Sequence, residues 1–118
     1  TVALVGGDGS VRSTSRLSAG ERQLLAVSLL WGLARASGYP LPVIIDTPLG
    51  RLDAAHRTNL VERYFPNASH QVILLSTDKE IDEECLNKLR PALGKSYLLD
   101  FDDTSQYTTI RPGYFWGN

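Results

Sequence analysis

Two carboxylates, Asp46 and Asp53, bracket the turn Thr47-Pro48-Leu49-Gly50-Arg51-Leu52, directly after the apolar run Val43-Ile44-Ile45. A carboxylate closing such a run is a hard oxygen ligand, suited to Mg²⁺ or to a water beside a phosphate. Asp46 serves equally well as the residue that starts the Pro/Gly turn. A second constellation stands upstream in Leu17-Ser18-Ala19-Gly20-Glu21. Ser18 and Glu21 have the S-x-x-E spacing of a capping box. The hydroxyl and free amides of a helix start also make an anion site, favoured by the helix dipole. Gly20 would let a phosphate approach that backbone closely. A third group, Thr77 and Asp78, follows the run Gln71 to Ser76. Thr77 and Glu80 either form another capping box or place Thr77 beside Asp46 as a switch or water-positioning residue.

The elements that must hold these residues are legible in the pattern. Unalternating apolar runs at 43–45 and 72–75 suit strands buried on both faces of a parallel sheet. Ligands of such sheets sit outside the carboxyl ends of the strands. Asp53 is a natural N-cap for a helix from Ala54 to Phe65, ended by Pro66, which completes a βαβ unit. His56 falls in the first turn of that helix, where an imidazole is more often a surface residue than a chemical group. Upstream, Leu24 to Ala34 predicts a helix apolar nearly all round, hence buried on most sides, that stops at Gly38. Downstream, Lys79 to Arg90 predicts a helix with Ile81, Cys85 and Leu89 on one stripe, closed by Pro91. Cys85 there is a core filler. Hairpins are expected at both ends: Thr1 to Val5 with Ser10 to Ser15, and Ser96 to Asp102 with Gln106 to Arg111. Asp100, Asp102 and Asp103 do not share one strand face, so they are solvated edge charges rather than a metal site. The aromatic run Tyr114-Phe115-Trp116 is expected to pack on this domain or on a missing part of a longer chain.

The 118 residues suit one domain with a single core. Apolar content of 42% and charged content of 21% are those of an ordinary globular chain. Twelve basic and thirteen acidic residues leave a formal charge of -1, so the chain carries no overall electrostatic footprint for nucleic acid or membrane. The lone Cys85 cannot form an internal disulfide, which fits a reducing cytosol. There is no apolar run of membrane-spanning length and no signal peptide. Gly6-Gly7-Asp8-Gly9 is not a phosphate loop of the G-x-x-x-x-G-K-[ST] kind, because no Lys occurs before Lys79. The abrupt start on Thr1, in a chain without Met, suggests a piece excised from a longer protein.

Taken in order, Leu17 to Glu21 opening a helix, a strand ending in Asp46, Gly50 to Asp53, and a strand ending in Ser76-Thr77 resemble an ABC-type ATPase head. The similarity is to the C-terminal half of heads of the SMC and RecF-like group. There the signature L-S-G-G-[QE] precedes a Walker B Asp, a D-loop and a switch loop. Over Leu17 to Asp82 it runs closest to the DndD family, the ATPases of bacterial DNA sulfur modification (phosphorothioation).

The resemblance implies an α/β fold, half of a P-loop ATPase head, with buried parallel strands, flanking helices and terminal β-hairpins. It implies that residues 1–118 form the C-terminal lobe. The Walker A lobe and a coiled coil would then lie elsewhere in the parent chain. It assigns Ser18, Ala19, Gly20 and Glu21 to the γ-phosphate of ATP held by an opposite protomer. It assigns Asp46 to Mg²⁺ and the attacking water, Gly50 to Asp53 to the D-loop, and Thr77 to the switch position. The implied partners are the Walker A lobe, a second head in a homodimer, other sulfur-modification proteins, and DNA through the assembled complex. The implied setting is cytoplasmic and nucleoid-associated, with no membrane. Two departures stand out. Thr47 occupies the place of the usual catalytic Glu, and Ser76/Thr77 that of the usual switch His. A Thr hydroxyl orients water but does not take its proton as a carboxylate does. The expectation is a slow ATPase that would be inactive without its N-terminal lobe. The alternatives are an ATP-gated DNA clamp with little hydrolysis, and a repair or anti-phage ATPase of the same head type.

Overall fold

A computed structural model describes residues 3–116 and shows a small α/β domain. The chain opens with a tight hairpin, β1 (Leu4–Val5) against β2 (Val11–Arg12), turned by Gly9 at φ +78°. Thr1 and Val2, which belong to the first expected strand, lie outside the described residues. A single 3-10 turn, Thr14–Arg16, leads into helix α1 (Ala19–Ser37). That helix ends on Gly38 in the left-handed conformation, as the Gly-then-Pro pattern requires.

Strands β3 (Val43–Asp46) and β4 (Val72–Leu75) pair in parallel, Val43 opposite Val72 and Asp46 opposite Leu75. Helix α2 (Ala54–Asn59) begins the connection between them. It does not continue as one α-helix to Phe65. Residues Leu60–Tyr64 widen into a π turn and Phe65–Asn67 tighten into a 3-10 turn that contains Pro66. Helix α3 covers Glu83–Leu89 rather than beginning at Lys79, because Asp82 caps it by accepting from the Cys85 amide at 2.9 Å. Pro91 sits in the 3-10 turn that follows. Strands β5 (Tyr97–Asp102) and β6 (Tyr107–Pro112) close the chain as an antiparallel hairpin around Thr104-Ser105.

The core lies on one side of the parallel pair. Leu49, Leu60, Val61, Tyr64, Phe65 and Ala68 pack there with the expected stripe Ile81, Cys85 and Leu89, and with Leu86. Ile45, Val72 and Leu74 reach this core from the strands. The opposite strand face does not: Ile44 is 64% exposed, and Ile73 and Leu75 are also open. The expectation of strands buried on both faces is therefore corrected. Each described sheet has two strands, and helical layers cover only one face of the parallel pair. The expectation for α1 is corrected in the same sense. Only Gly20 is buried along it, while Leu29, Leu30 and Leu33 face outward. Leu24, Val27 and Trp31 form the single stripe that meets the core. Among the described residues no helix is long and apolar enough to cross a membrane.

Of the terminal aromatics, Tyr114 packs against the core. Its ring stacks on Trp116, with centroids 5.5 Å apart. Asp102 accepts from the Thr104 amide and the Ser105 hydroxyl, and Asp100 pairs with Arg111. These carboxylates organise their hairpin, as solvated edge charges do. The one-sided core makes a clear prediction about substitutions. Phe65→Ala should cost about 3–5 kcal/mol of unfolding free energy in denaturant titrations. Ile44→Ser, on the open strand face, should change it by less than about 0.5 kcal/mol.

Candidate functional site

The first turn of α1 carries the upstream constellation. The Ser18 hydroxyl accepts from the Glu21 amide at 3.2 Å, and the Glu21 carboxylate accepts from the Ser18 amide at 2.7 Å. The capping box is thus complete. Two of the donors that an anion would use are engaged within the box, which leaves the amides of Ala19 and Gly20 as the unbonded start of the helix. The hydrogen bond from the Ser18 backbone, more than any other influence, holds the Glu21 carboxyl below its ordinary value.

Gly20 is required by a close approach within the chain itself. A Cβ built on it would lie 2.5 Å from the Arg51 carbonyl oxygen, so the neighbouring turn fills the side-chain direction of this glycine while its amide stays at the helix start. The close approach joins helix α1 to the Thr47–Asp53 turn. Ser18, Gly20, Glu21 and Leu24 then line an open cleft of about 350 Å³ with Arg51, Leu52, Asp53 and His56. Asp53 caps α2 by accepting from the His56 amide at 2.9 Å. It also bonds the His56 ring nitrogen Nδ1 at 2.8 Å. The amide bond chiefly lowers the Asp53 carboxyl below its ordinary value. His56 is therefore a lining residue of the cleft, oriented by the cap.

The second constellation forms at the carboxyl ends of the parallel strands. Asp46 is exposed at the end of β3, and its Oδ1 accepts from the Thr47 hydroxyl at 3.3 Å. Thr47 continues the ladder, its amide donating to the Leu75 carbonyl at 3.0 Å. It does so at φ +54°, a left-handed conformation that costs a β-branched residue of order 1–3 kcal/mol. Arg51 shares the left-handed region at φ +63°. Gln23 of α1 donates to the carbonyls of Thr47 and Pro48 at 3.3 and 3.5 Å. Gly50 folds back so closely that a Cβ there would meet the Thr47 methyl at 2.8 Å.

Thr77 follows β4, one residue beyond Ser76, and starts a turn rather than a helix. Its carbonyl accepts from the Glu80 and Ile81 amides. Glu80 does not complete a capping box with it. The carboxylate instead accepts from the Leu49 amide at 2.7 Å, so it braces the turn after Asp46. Arg57 donates to the Glu80 carbonyl and lies 3.7 Å from Asp82. The Tyr114 hydroxyl accepts from Ser76 Oγ at 3.0 Å and shares its single proton between the carbonyls of Thr77 and Ile81, 3.1 Å from each. Burial is the main cause that pushes this phenol up.

The predicted residues thus fall into two groups. Ser18, Gly20 and Glu21 meet Asp53 at the cleft, with Ala19 in the same helical turn but not in the lining, whereas Asp46, Thr47 and Thr77 stand at the strand ends; Gly50 belongs to the turn between. Gln23, Glu80, Arg51, Arg57 and Tyr114 complete these groups without a motif of their own. Among the described residues no three potential metal ligands cluster. The exposed carboxylate of Asp46 nevertheless suits Mg²⁺, which in phosphoryl-transfer sites takes one or two carboxylates and draws its remaining ligands from phosphates and water.

No protein-family model matches the chain, and no curated protein matches it. The chemistry of the site therefore rests on its geometry.

Two expectations follow for stability. Gly20→Ala drives a methyl against a backbone oxygen and should destabilise by about 1–3 kcal/mol in thermal unfolding. Gly32→Ala, with open space around the new methyl, should stabilise by up to about 1 kcal/mol. The second concerns acid. Glu21, Asp53 and Asp82 each have a lowered carboxyl at a helix start, so their contribution is present above the ordinary values of 4.5 for Glu and 3.8 for Asp. It is lost as pH falls through the lower folded values. The melting temperature should drop below about pH 4.5, and Asp82→Asn, which keeps a capping side chain, should make that drop shallower.

Proposed function

We propose that the chain is the C-terminal lobe of an SMC-like, ABC-type ATPase head that works in bacterial DNA phosphorothioation in the cytoplasm, associated with the nucleoid. The observation that carries this is the contact of Gly20 with the Arg51 carbonyl. It makes one body of a helix start able to face phosphate and a turn that begins at a carboxylate able to face Mg²⁺. In the assembled head the Ala19 and Gly20 amides and the Ser18 hydroxyl would face the γ-phosphate of ATP held by the opposite protomer. The Ser18 oxygen accepts from the Glu21 amide, so its O–H remains free to donate to that phosphate. Asp46 would hold Mg²⁺, which supplies charge neutralisation on the phosphates when bound. Gly50 to Asp53 would cross between the two sites. Thr47 and Thr77 would orient water.

A second role, an ATP-gated clamp on DNA, is favoured by Thr47 itself. Its hydroxyl already donates to Asp46, and its neighbouring carboxylate Glu80 is engaged with Leu49. With Asp46 assigned to Mg²⁺ and Glu80 bracing the Leu49 amide, the position after Asp46 offers a hydroxyl rather than a carboxylate to take a proton from water.

The test is ATP turnover by this chain joined to its Walker A lobe. Asp46→Asn and Ser18→Arg should each lower turnover by roughly 10² to 10³-fold. Thr47→Glu should raise it if the missing carboxylate limits the rate. Absent turnover with ATP-dependent dimerisation that Ser18→Arg abolishes would favour the clamp. Neither turnover nor ATP-dependent dimerisation would sink both.

A further inference from the structure

The parallel ladder runs out where the Thr47 amide donates to the Leu75 carbonyl. Ser76 and Thr77 leave the sheet beyond that bond, and the phenol of Tyr114 meets them there. The two carbonyls that share its proton, those of Thr77 and Ile81, open and close one turn, because Thr77 also accepts from the Glu80 and Ile81 amides at 3.2 Å each. A single side chain, 33 to 38 residues downstream, thus clamps both ends of the segment that carries Thr77.

Packing alone does not ask for this hydroxyl. The Tyr114 ring reaches the core and lies parallel to Trp116, and a phenylalanine would fill the same place. Tyrosine adds a polar tip that finds partners where it is half-buried. Burial chiefly raises the phenol above its ordinary value, so the proton stays available to the two carbonyls at neutral pH. The backbone is committed to this aim as well. Gly113, at φ +113°, turns the chain out of β6 directly before Tyr114, and its amide donates to the Ser96 carbonyl at 3.0 Å.

The clamp reaches further through Glu80, which lies inside the clamped turn. Its carboxylate holds the Leu49 amide at 2.7 Å, in the middle of the Thr47–Asp53 turn, and its carbonyl accepts from Arg57. The path from the aromatic tail to the turn after Asp46 is therefore made of contiguous hydrogen bonds.

We propose that Tyr114 is a positioning residue: its hydroxyl holds the Thr77–Ile81 turn in one register and, through Glu80, sets the turn that follows Asp46. The role rests on the reading above, in which Thr77 and Asp46 serve one ATP site. It adds that the tail after β6 governs how those two strand ends are arranged.

Hydrogen exchange in the full chain tests the clamp without nucleotide. In Tyr114→Phe the Glu80, Ile81 and Leu49 amides should exchange about tenfold faster, the size of one lost hydrogen bond, while the buried Val61 amide keeps its rate. Gly113→Ala, which keeps the phenol but strains its approach, should act on the same three amides. Acceleration of Val61 by the same factor would reduce the hydroxyl to general stability and overturn the proposal. A Leu49 amide that does not respond would overturn it too. ATP turnover by the chain joined to its Walker A lobe then tests the use. Tyr114→Phe should lower kcat about fivefold or more with KM for ATP unchanged, and adding Glu80→Gln should lower it little further than the larger single effect. Wild-type turnover that Tyr114→Phe leaves intact overturns this role alone. A wild type without turnover overturns the ATPase reading and this role with it.

Discussion

The seven residues from Thr47 to Asp53 are the junction on which the other elements depend. Their backbone is grasped from three directions. Gln23 of α1 holds the Thr47 and Pro48 carbonyls, Glu80 holds the Leu49 amide, and the Arg51 carbonyl presses into the gap that Gly20 leaves. Pro48 and Leu49 are among the most deeply buried side chains in the protein. Burial of an irregular segment is tolerated only when its polar groups find partners. Here helix α1 and the segment after β4 supply them. Thr47 and Arg51 accept left-handed backbone because the surrounding contacts leave the turn no alternative. The two groups of candidate site residues owe their proximity to this junction.

A one-sided core follows from the same arrangement. The α2–π–α3 layer is packed closely enough to bury Val61 completely, whereas the other strand face and much of α1 stay open. Hydrophobic stabilisation scales with apolar area removed from water, so it is concentrated in that layer. Helix α1 is anchored by its first turn and by the stripe Leu24, Val27 and Trp31, with little else to hold its far end.

Local rules read this chain well. The capping box at Ser18, the cap at Asp53, the stop at Gly38 and the C-terminal hairpin were legible because each depends on neighbouring residues. The parallel pair followed from two apolar runs with a helical stretch between, and the first hairpin is shorter than expected, with Thr14–Arg16 in a 3-10 turn. Burial was less so. Apolar content along α1 and the strands sets what could be covered, and coverage depends on which elements pack against them. The Thr77/Glu80 pair had the spacing of a cap, yet a long-range acceptor role at the Leu49 amide took the carboxylate, and Asp82 won the cap. Gly20 does mark a close approach, and the group that fills its side-chain direction, the Arg51 carbonyl, lies 31 residues away and carries no local signal. The roles of Gln23 and Tyr114 involve partners 24 to 38 residues away and carry no local signal.

The π turn at Leu60–Tyr64 bears on how the chain tolerates changes of length. A π turn holds one residue more than an α turn, so it is equivalent to a single insertion absorbed within a helix. Removing one residue there would leave a regular α-helix that is locally unstrained. Everything beyond it would turn by about 100° about the helix axis. Phe65 and Ala68, both now buried, would swing off the core. The extra residue therefore works as a phase shifter. It sets the angular register between the Asp53 cap and the second strand, and a deletion that improves local geometry would dismantle the packing.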